Sequence, residues 1–223
     1  MNGIKLVPSI LGLSVALGGP ILLASGASKV PGDPNRLVTR LIGQVLLWVL
    51  LGFILALVVF WEKQPLRSIG LRPLGWRSVL WGPALAGAFI LLNPAWTEML
   101  SRLGMPPSFE SGFAKLAGLP RWFLVFAAVT AGAAEEMLYR GYAVERLASL
   151  TGSYWWGGLI SIAVFTLAHL PVWGWGPIPI FFISSVMVTL FYVWRRDLLA
   201  CIIAHAVTDI VGLIGGVSAS GAS

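Results

Sequence analysis

The sequence contains few charged residues. They make up 11% of its 223 positions, whereas hydrophobic residues make up 57%. A soluble domain carries about 25% charged residues, so this chain has too few polar side chains to cover its surface in water. The composition therefore excludes a soluble globular domain and predicts an integral membrane protein of small loops.

Cysteine and histidine are also scarce. The one cysteine, Cys201, excludes an intrachain disulfide and a thiolate metal cluster. The two histidines are His169 and His205, and no H-E-x-x-H motif is present. A Cys–His pair of Cys201 and His205 is disfavoured, because a cysteine in an apolar helix is usually a packing residue. No serine lies in a nucleophile context near the histidines.

Long hydrophobic runs fill most of the chain. Each is close to the roughly 20 residues that a membrane-spanning helix needs. We expect an all-α, polytopic bundle of about seven spans (six to eight), forming a single membrane domain over residues 1–223. The first run also fits a cleaved signal peptide, which would make 1–27 a removed segment. The runs are 7–25, 41–61, 79–97, 121–140, 154–170, 178–194 and 198–217.

The basic residues predict the orientation in the membrane. Lysine and arginine flanking the spans account for the net charge of +6 without a nucleic-acid partner. With seven spans, the side of the N-terminus holds nine of them and the other side six, which favours a cytoplasmic N-terminus. The nine are Lys5, Lys63, Arg67, Arg72, Arg77, Arg140, Arg146, Arg195 and Arg196; the six are Lys29, Arg36, Arg40, Arg102, Lys115 and Arg121.

Ionisable residues inside the spans mark the candidate site. Such residues usually face the bundle interior or a cavity, and they mark function by default. Glu136 and Arg140 stand at i, i+4 with the acid first, which predicts a salt bridge. Glu135 points about 100° away around the helix, so it lacks that partner. An unpaired carboxylate in an apolar pocket suits a general base.

The remaining candidates lie on two further spans. His169 follows Phe165 by four residues in "FTLAH", and His205 precedes Asp209 by four in "HAVTD". Burying polar side chains on three helices costs less free energy when they converge on one another, because each group then finds a hydrogen-bonding or charged partner. We therefore expect a shared site.

Three motifs in this order resemble a known family. "EEMLYR" fits E-E-x-x-x-R, "FTLAH" fits F-x-x-x-H, and "HAVTD" fits H-x-x-x-[N/D]; "SIGLRPLGW" is similar to the basic segment before one of the family's spans. The chain thus resembles the CAAX prenyl protease and bacteriocin-processing family of intramembrane endopeptidases, also called the Abi family. The motif-bearing core is about 121–217.

The resemblance implies an all-helical core with a cavity that opens to the cytosol and hydrolysis of a peptide bond near the membrane surface. It implies that Glu135 activates the attacking water with help from His169. Glu136, Arg140 and Phe165 would support them, and His205 and Asp209 would line the oxyanion side. Asp209 departs from the commoner asparagine: an ionised carboxylate can only accept a hydrogen bond, so it cannot bind an oxyanion.

Asp209 would have to be protonated, orient His205 or bind a metal. The last option leaves a zinc-dependent version of the hydrolysis open, in which His169, His205 and either Glu135 or Asp209 hold Zn²⁺. Zinc would lower the pKa of its bound water to about 7. The resemblance favours the metal-free reaction, and no cofactor is assigned.

Other classes of function also use buried acids and histidines. A proton-coupled transporter does so, although the absence of inverted repeats counts against it. A non-catalytic immunity or scaffold protein of the membrane is the third alternative. For the peptidase we expect the lipid bilayer and a peptide or protein substrate as partners, no nucleic acid, and the plasma membrane as location if the source is prokaryotic.

Overall fold

The computed structural model describes residues 5–26 and 37–219. Lys29 and Arg36, which contribute to the charge count above, and the first residues of the segment 1–27 lie outside these ranges. No strand occurs in the two described ranges, and seven of the helices there are long and apolar enough to cross a membrane. The predicted helical bundle is confirmed, and the chain is an integral membrane protein.

Ten α-helices within residues 5–26 and 37–219 are labelled in chain order. The second is continued by a π-helix, Leu57–Trp61, and a 3₁₀ turn, Leu66–Ile69, lies between the second and third. The helices are α1 (Leu6–Gly26), α2 (Leu37–Ala56), α3 (Trp76–Arg102), α4 (Glu110–Leu116), α5 (Arg121–Glu135), α6 (Glu145–Thr151), α7 (Tyr154–Ala168), α8 (Leu170–Trp173), α9 (Ile178–Arg195) and α10 (Leu198–Ala219).

The fourth span is longer than its hydrophobic run. We predicted its end at residue 140, but helical structure continues from Arg121 to Thr151. Between α5 and α6 it passes through a nine-residue π-helix, Glu136–Val144, called the π segment below. The added residues include the charged pair Glu145 and Arg146, which are buried, so hydropathy placed the end of the span too early.

Helix α10 packs along α3 and α5. Gly132 of α5 makes the close contact between α10 and α5 possible. A Cβ at this position would lie 2.8 Å from the backbone nitrogen of Ala206 and 3.0 Å from the carbonyl oxygen of Ile202. Small residues let membrane helices approach closely, and this approach brings the two glutamates of the fourth span next to His205.

A buried polar cluster ties α1 to the fourth span. Glu62 is 4% exposed. Its Oε2 accepts hydrogen bonds from Nε and Nη2 of Arg146 at 2.9 and 2.6 Å, and its Oε1 accepts from the hydroxyls of Tyr142 and Ser9 at 2.8 and 3.0 Å. Helix α1 thus packs as a member of the bundle, as a membrane span does.

Candidate active site

The glutamate motif lies where the fourth span changes from α to π geometry. Glu135 is the last residue of α5, and Glu136 is the first of the π segment. A π-helix bonds each carbonyl to the fifth residue ahead instead of the fourth; such segments are rare and are frequent at functional sites. The widened turn sets the directions of the side chains from Glu136 to Arg140.

The predicted ion pair of Glu136 and Arg140 is present. Arg140 Nη1 donates to Glu136 Oε1 at 2.9 Å, and both side chains are essentially excluded from solvent. The other donors of Arg140 reach α9: Nη2 donates to Ser185 Oγ at 2.9 Å and Nε to Thr189 Oγ1 at 3.3 Å. A buried charge needs such partners, so the guanidinium fixes the π segment against α9.

The same carboxylate holds His205. Nδ1 of His205 lies 2.8 Å from Oε1 of Glu136, and its Nε2 lies 3.4 Å from Oδ2 of Asp209. Because ionised carboxylates only accept, contacts of both ring nitrogens with carboxylates require either an imidazolium, which donates from both nitrogens, or a proton on one of the acids. The close carboxylate partner of His205 is therefore Glu136 and not Glu135.

Glu135 faces the other histidine. Its Oε2 lies 3.9 Å from Nε2 of His169, and this buried oxygen has no hydrogen-bond partner in the described structure. Nδ1 of His169 lies 2.8 Å from the carbonyl oxygen of Phe165. A carbonyl only accepts, so Nδ1 carries the hydrogen, and a neutral His169 presents Nε2 as an acceptor to Glu135.

The ring of Phe165 lies at the centre of this group. Its centroid is 4.6 Å from that of His169, 6.1 Å from that of His205 and 5.2 Å from that of Tyr139. The guanidinium of Arg140 lies 4.1 Å from the same centroid, a cation–π contact. The ring of Phe165 therefore packs against both histidines and the arginine and keeps them apart. This contact is a physical reason for a phenylalanine four residues before His169.

A cavity of about 380 Å³ adjoins these residues. Its lining joins the polar groups of the three motifs to an aromatic region at one end. Glu135 is not part of the lining, although its side chain is 20% exposed, and it approaches the cavity through His169. The motif residues in the lining are Glu136, Arg140, Phe165, His169, His205 and Asp209, and the aromatic residues are Phe89, Phe109, Phe113, Trp173 and Phe181.

The arrangement does not fit a metal ion. In the described parts of the chain, no three His, Cys, Asp or Glu side chains are placed to hold one. His205 directs its two nitrogens at two carboxylates, and His169 uses Nδ1 for a carbonyl. The two histidines do not converge on a common point with Glu135 or Asp209, so no step of the proposed reaction is assigned to zinc.

The structure brings all seven candidate residues together, and it adds others that the sequence reading missed. Ser185 and Thr189 bind Arg140 from α9. A signal for them existed: two small polar residues at i, i+4 inside an otherwise apolar span. Phe181, whose ring centroid lies 4.3 Å from that of His169, had no distinguishing signal among the aromatic residues of the same span.

Comparison with known proteins supports the family reading over part of the chain. Residues 117–211 match the family model described as type II CAAX prenyl endopeptidase, Rce1-like. The resemblance is confirmed. No curated protein and no solved structure matches the chain. The Rce1-like segment contains all three motifs, and its family is one of proteases, that is, hydrolases of peptide bonds in a membrane setting.

Proposed function

We propose that this protein is an intramembrane endopeptidase in which Glu135 and His169 activate a water molecule. One observation carries the proposal. Glu135 Oε2 and His169 Nε2 face each other at 3.9 Å, and that oxygen has no other partner in the described structure. Two acceptors at this separation are too far apart for a direct bond and suit a bridging water.

The first chemical step follows from this geometry. The water oxygen attacks the carbonyl carbon of the peptide bond while Glu135 takes its proton, and His169 Nε2 holds the second hydrogen in position. The carbonyl oxygen becomes the oxyanion. When the carbon–nitrogen bond breaks, Glu135 returns the proton to the leaving amine, so that the base is restored and one water is consumed.

His205 and the buried pair prepare the site for this charge. The site contains three carboxylates, Glu135, Glu136 and Asp209, with Arg140 as its one permanent cation. A protonated His205, held between Glu136 and Asp209, reduces the excess negative charge of this group to one and stabilises an oxyanion formed in the adjoining cavity. Glu136 and Arg140 are positioning residues in this scheme, because they act through His205 and the π segment.

The structure favours the orienting role for Asp209. Oδ2 of Asp209 lies 3.4 Å from Nε2 of His205, and an asparagine could accept from the same nitrogen through its amide oxygen. We expect Asp209→Asn to retain kcat within about tenfold, whereas Asp209→Ala reduces it by about a hundredfold or more. Steady-state cleavage rates of the two variants decide this; equal losses in both would show that the negative charge itself is needed.

The substrate and the extent of the catalytic domain are also proposals. We propose one membrane domain over residues 1–223, with the catalytic core at 121–217, and a prenylated or unmodified peptide as substrate. The direct test is release of product from farnesylated and unmodified fluorescent peptides by the purified chain in proteoliposomes.

The same assay tests metal dependence. Cleavage that survives a chelator supports the metal-free reaction, and cleavage that is abolished by the chelator and restored by Zn²⁺ would overturn that assignment. Absence of cleavage with a measurable proton flux would instead favour the transporter.

The orientation needs its own test, because two expectations oppose each other. The cavity reaches Phe109 and Phe113 in the connection between α3 and α5, one span further along the chain than the connection 62–75. The two connections therefore lie on opposite faces. The charge count places 62–75 in the cytoplasm, whereas the resemblance implies that the cavity opens there.

We propose the orientation given by the charge count. In intact cells, we expect Arg67→Cys to resist a membrane-impermeant maleimide and Met105→Cys to react with it. Both positions are exposed, and the native Cys201 is buried, so the unchanged protein is the control. The reversed pattern would contradict the charge count and place the cavity on the cytoplasmic face.

A further inference from the structure

A second cavity, of about 190 Å³, lies apart from the candidate active site. It is bordered by the connection that precedes α3, by the first turn of α3 and by the short link from α9 to α10. Its lining is rich in arginine and contains one carboxylate, that of Asp197. The arginines are Arg72, Arg77, Arg195 and Arg196.

Most of this positive charge is not neutralised by the protein. Arg196 forms an ion pair with Glu145, but the other three arginines have no ion pair within the described residues. Asp197 is already engaged, because it accepts the hydroxyl of Ser78 at 2.9 Å and the backbone N–H of Ala200 at 3.0 Å. The cavity thus offers guanidinium groups that lack an anion.

Tryptophans hold two of these guanidinium groups in place. Arg195 lies over the rings of Trp194 and Trp81, at 4.9 and 5.3 Å from their centroids, and Arg77 lies 5.5 Å from the centroid of Trp76. A stacked guanidinium keeps its N–H donors free and loses less side-chain entropy when it binds an oxyanion. The site is therefore partly organised before any ligand arrives.

The surroundings of the cavity suit a lipid. Trp76 and Trp194 are 71% and 65% exposed, as tryptophans are at the interface between membrane and water. Leu74, Val79 and Leu80 are also exposed next to the cavity, where they would contact acyl chains. A soluble anion would gain nothing from these apolar side chains. A lipid, in contrast, can place its phosphate beside the arginines and its acyl chains against the apolar side chains.

We propose that this cavity binds the phosphate group of an anionic membrane lipid. Arginine forks match phosphate oxygens and form charge-assisted hydrogen bonds with them. The long helices α3 and α10 both begin at the cavity, and their positive ends add to the attraction. This inference is independent of the proposed protease reaction, because it concerns different residues at the end of the bundle.

The experiment is native mass spectrometry of the purified full chain with phosphatidylglycerol, phosphatidylcholine or inorganic phosphate. The test variant is Arg72→Gln/Arg77→Gln. The control is Lys63→Gln/Arg67→Gln, which removes the same charge from the connection 62–75 but outside the cavity. All four side chains are exposed, so both variants should fold, and their unfolding temperatures verify this.

We expect the test variant to bind phosphatidylglycerol on the order of a hundredfold more weakly, since it loses two charge-assisted hydrogen bonds. The affinity of the control variant for phosphatidylglycerol should change by less than about fivefold. The charges that it removes lie outside the cavity, where salt in the solvent screens them. Equal retention of this lipid by all three proteins would overturn the site. If the protein binds inorganic phosphate but does not prefer phosphatidylglycerol to phosphatidylcholine, the bound phosphate group does not come from a lipid. Neither result depends on peptide cleavage.

Discussion

The variant Glu135→Gln is expected to cleave peptides about a thousandfold more slowly than the unchanged protein. A positioned general base contributes about 10²–10⁴ in rate, and glutamine keeps the size of the side chain while removing its capacity to take a proton. Because Oε2 of Glu135 has no hydrogen-bond partner in the described structure, the substitution removes no hydrogen bond of that oxygen. Single-turnover cleavage in proteoliposomes measures the loss.

A matched control is Glu110→Gln, which makes the same chemical change at an exposed position on α4. It should retain full activity, and both variants should unfold at the temperature of the unchanged protein. Normal turnover by Glu135→Gln would remove Glu135 from the role of base. A loss of activity accompanied by a loss of stability would indicate a structural role instead.

The second large effect is on stability. Glu136→Ala is expected to destabilise the protein by about 3–5 kcal/mol, because it leaves the fully buried guanidinium of Arg140 without its carboxylate. It also removes the acceptor of His205 Nδ1, so peptide cleavage should be lost together with stability. Thermal unfolding in detergent, followed by the circular dichroism of the helices, gives the first quantity.

The chain contains its own control for this variant. Glu98 and Arg102 form an ion pair with the same residue types, the same i, i+4 spacing and a distance of 2.7 Å, but their side chains are 63% and 78% exposed. Exposed pairs contribute at most about 1 kcal/mol, so Glu98→Ala should shift the unfolding temperature little. Similar shifts in the two variants would show that burial does not make the Glu136–Arg140 pair important.

The sequence predicted those features that depend on short spacings. Each of the seven apolar runs corresponds to a long helix in the structure, and Glu136 and Arg140, which are four residues apart, form an ion pair. Convergence of the motifs was predictable because isolated polar groups are costly in an apolar bundle. Each of these predictions needs only the periodicity of one helix or the cost of one buried group.

The features that the sequence did not predict depend on packing between distant segments. The π segment has no signature in the residues from Glu136 to Val144. Which glutamate would bind His205 depended on the rotation of α5 against α10, set by the contact of Gly132 with Ala206. Glu62 lies just beyond the predicted span 41–61, yet it is buried, because Arg146 and Tyr142 reach it from 80 or more residues away.

The cluster around Glu62 has a consequence for the boundaries of the protein. The family match begins at residue 117, but the matched segment obtains the counter-ion of Arg146 from Glu62, which in turn accepts a hydrogen bond from Ser9 of α1. An excised segment 117–211 would carry a buried arginine without its acid. The limits of the sequence family and of the cooperative folding unit therefore differ, and the matched segment is not an autonomous folding module.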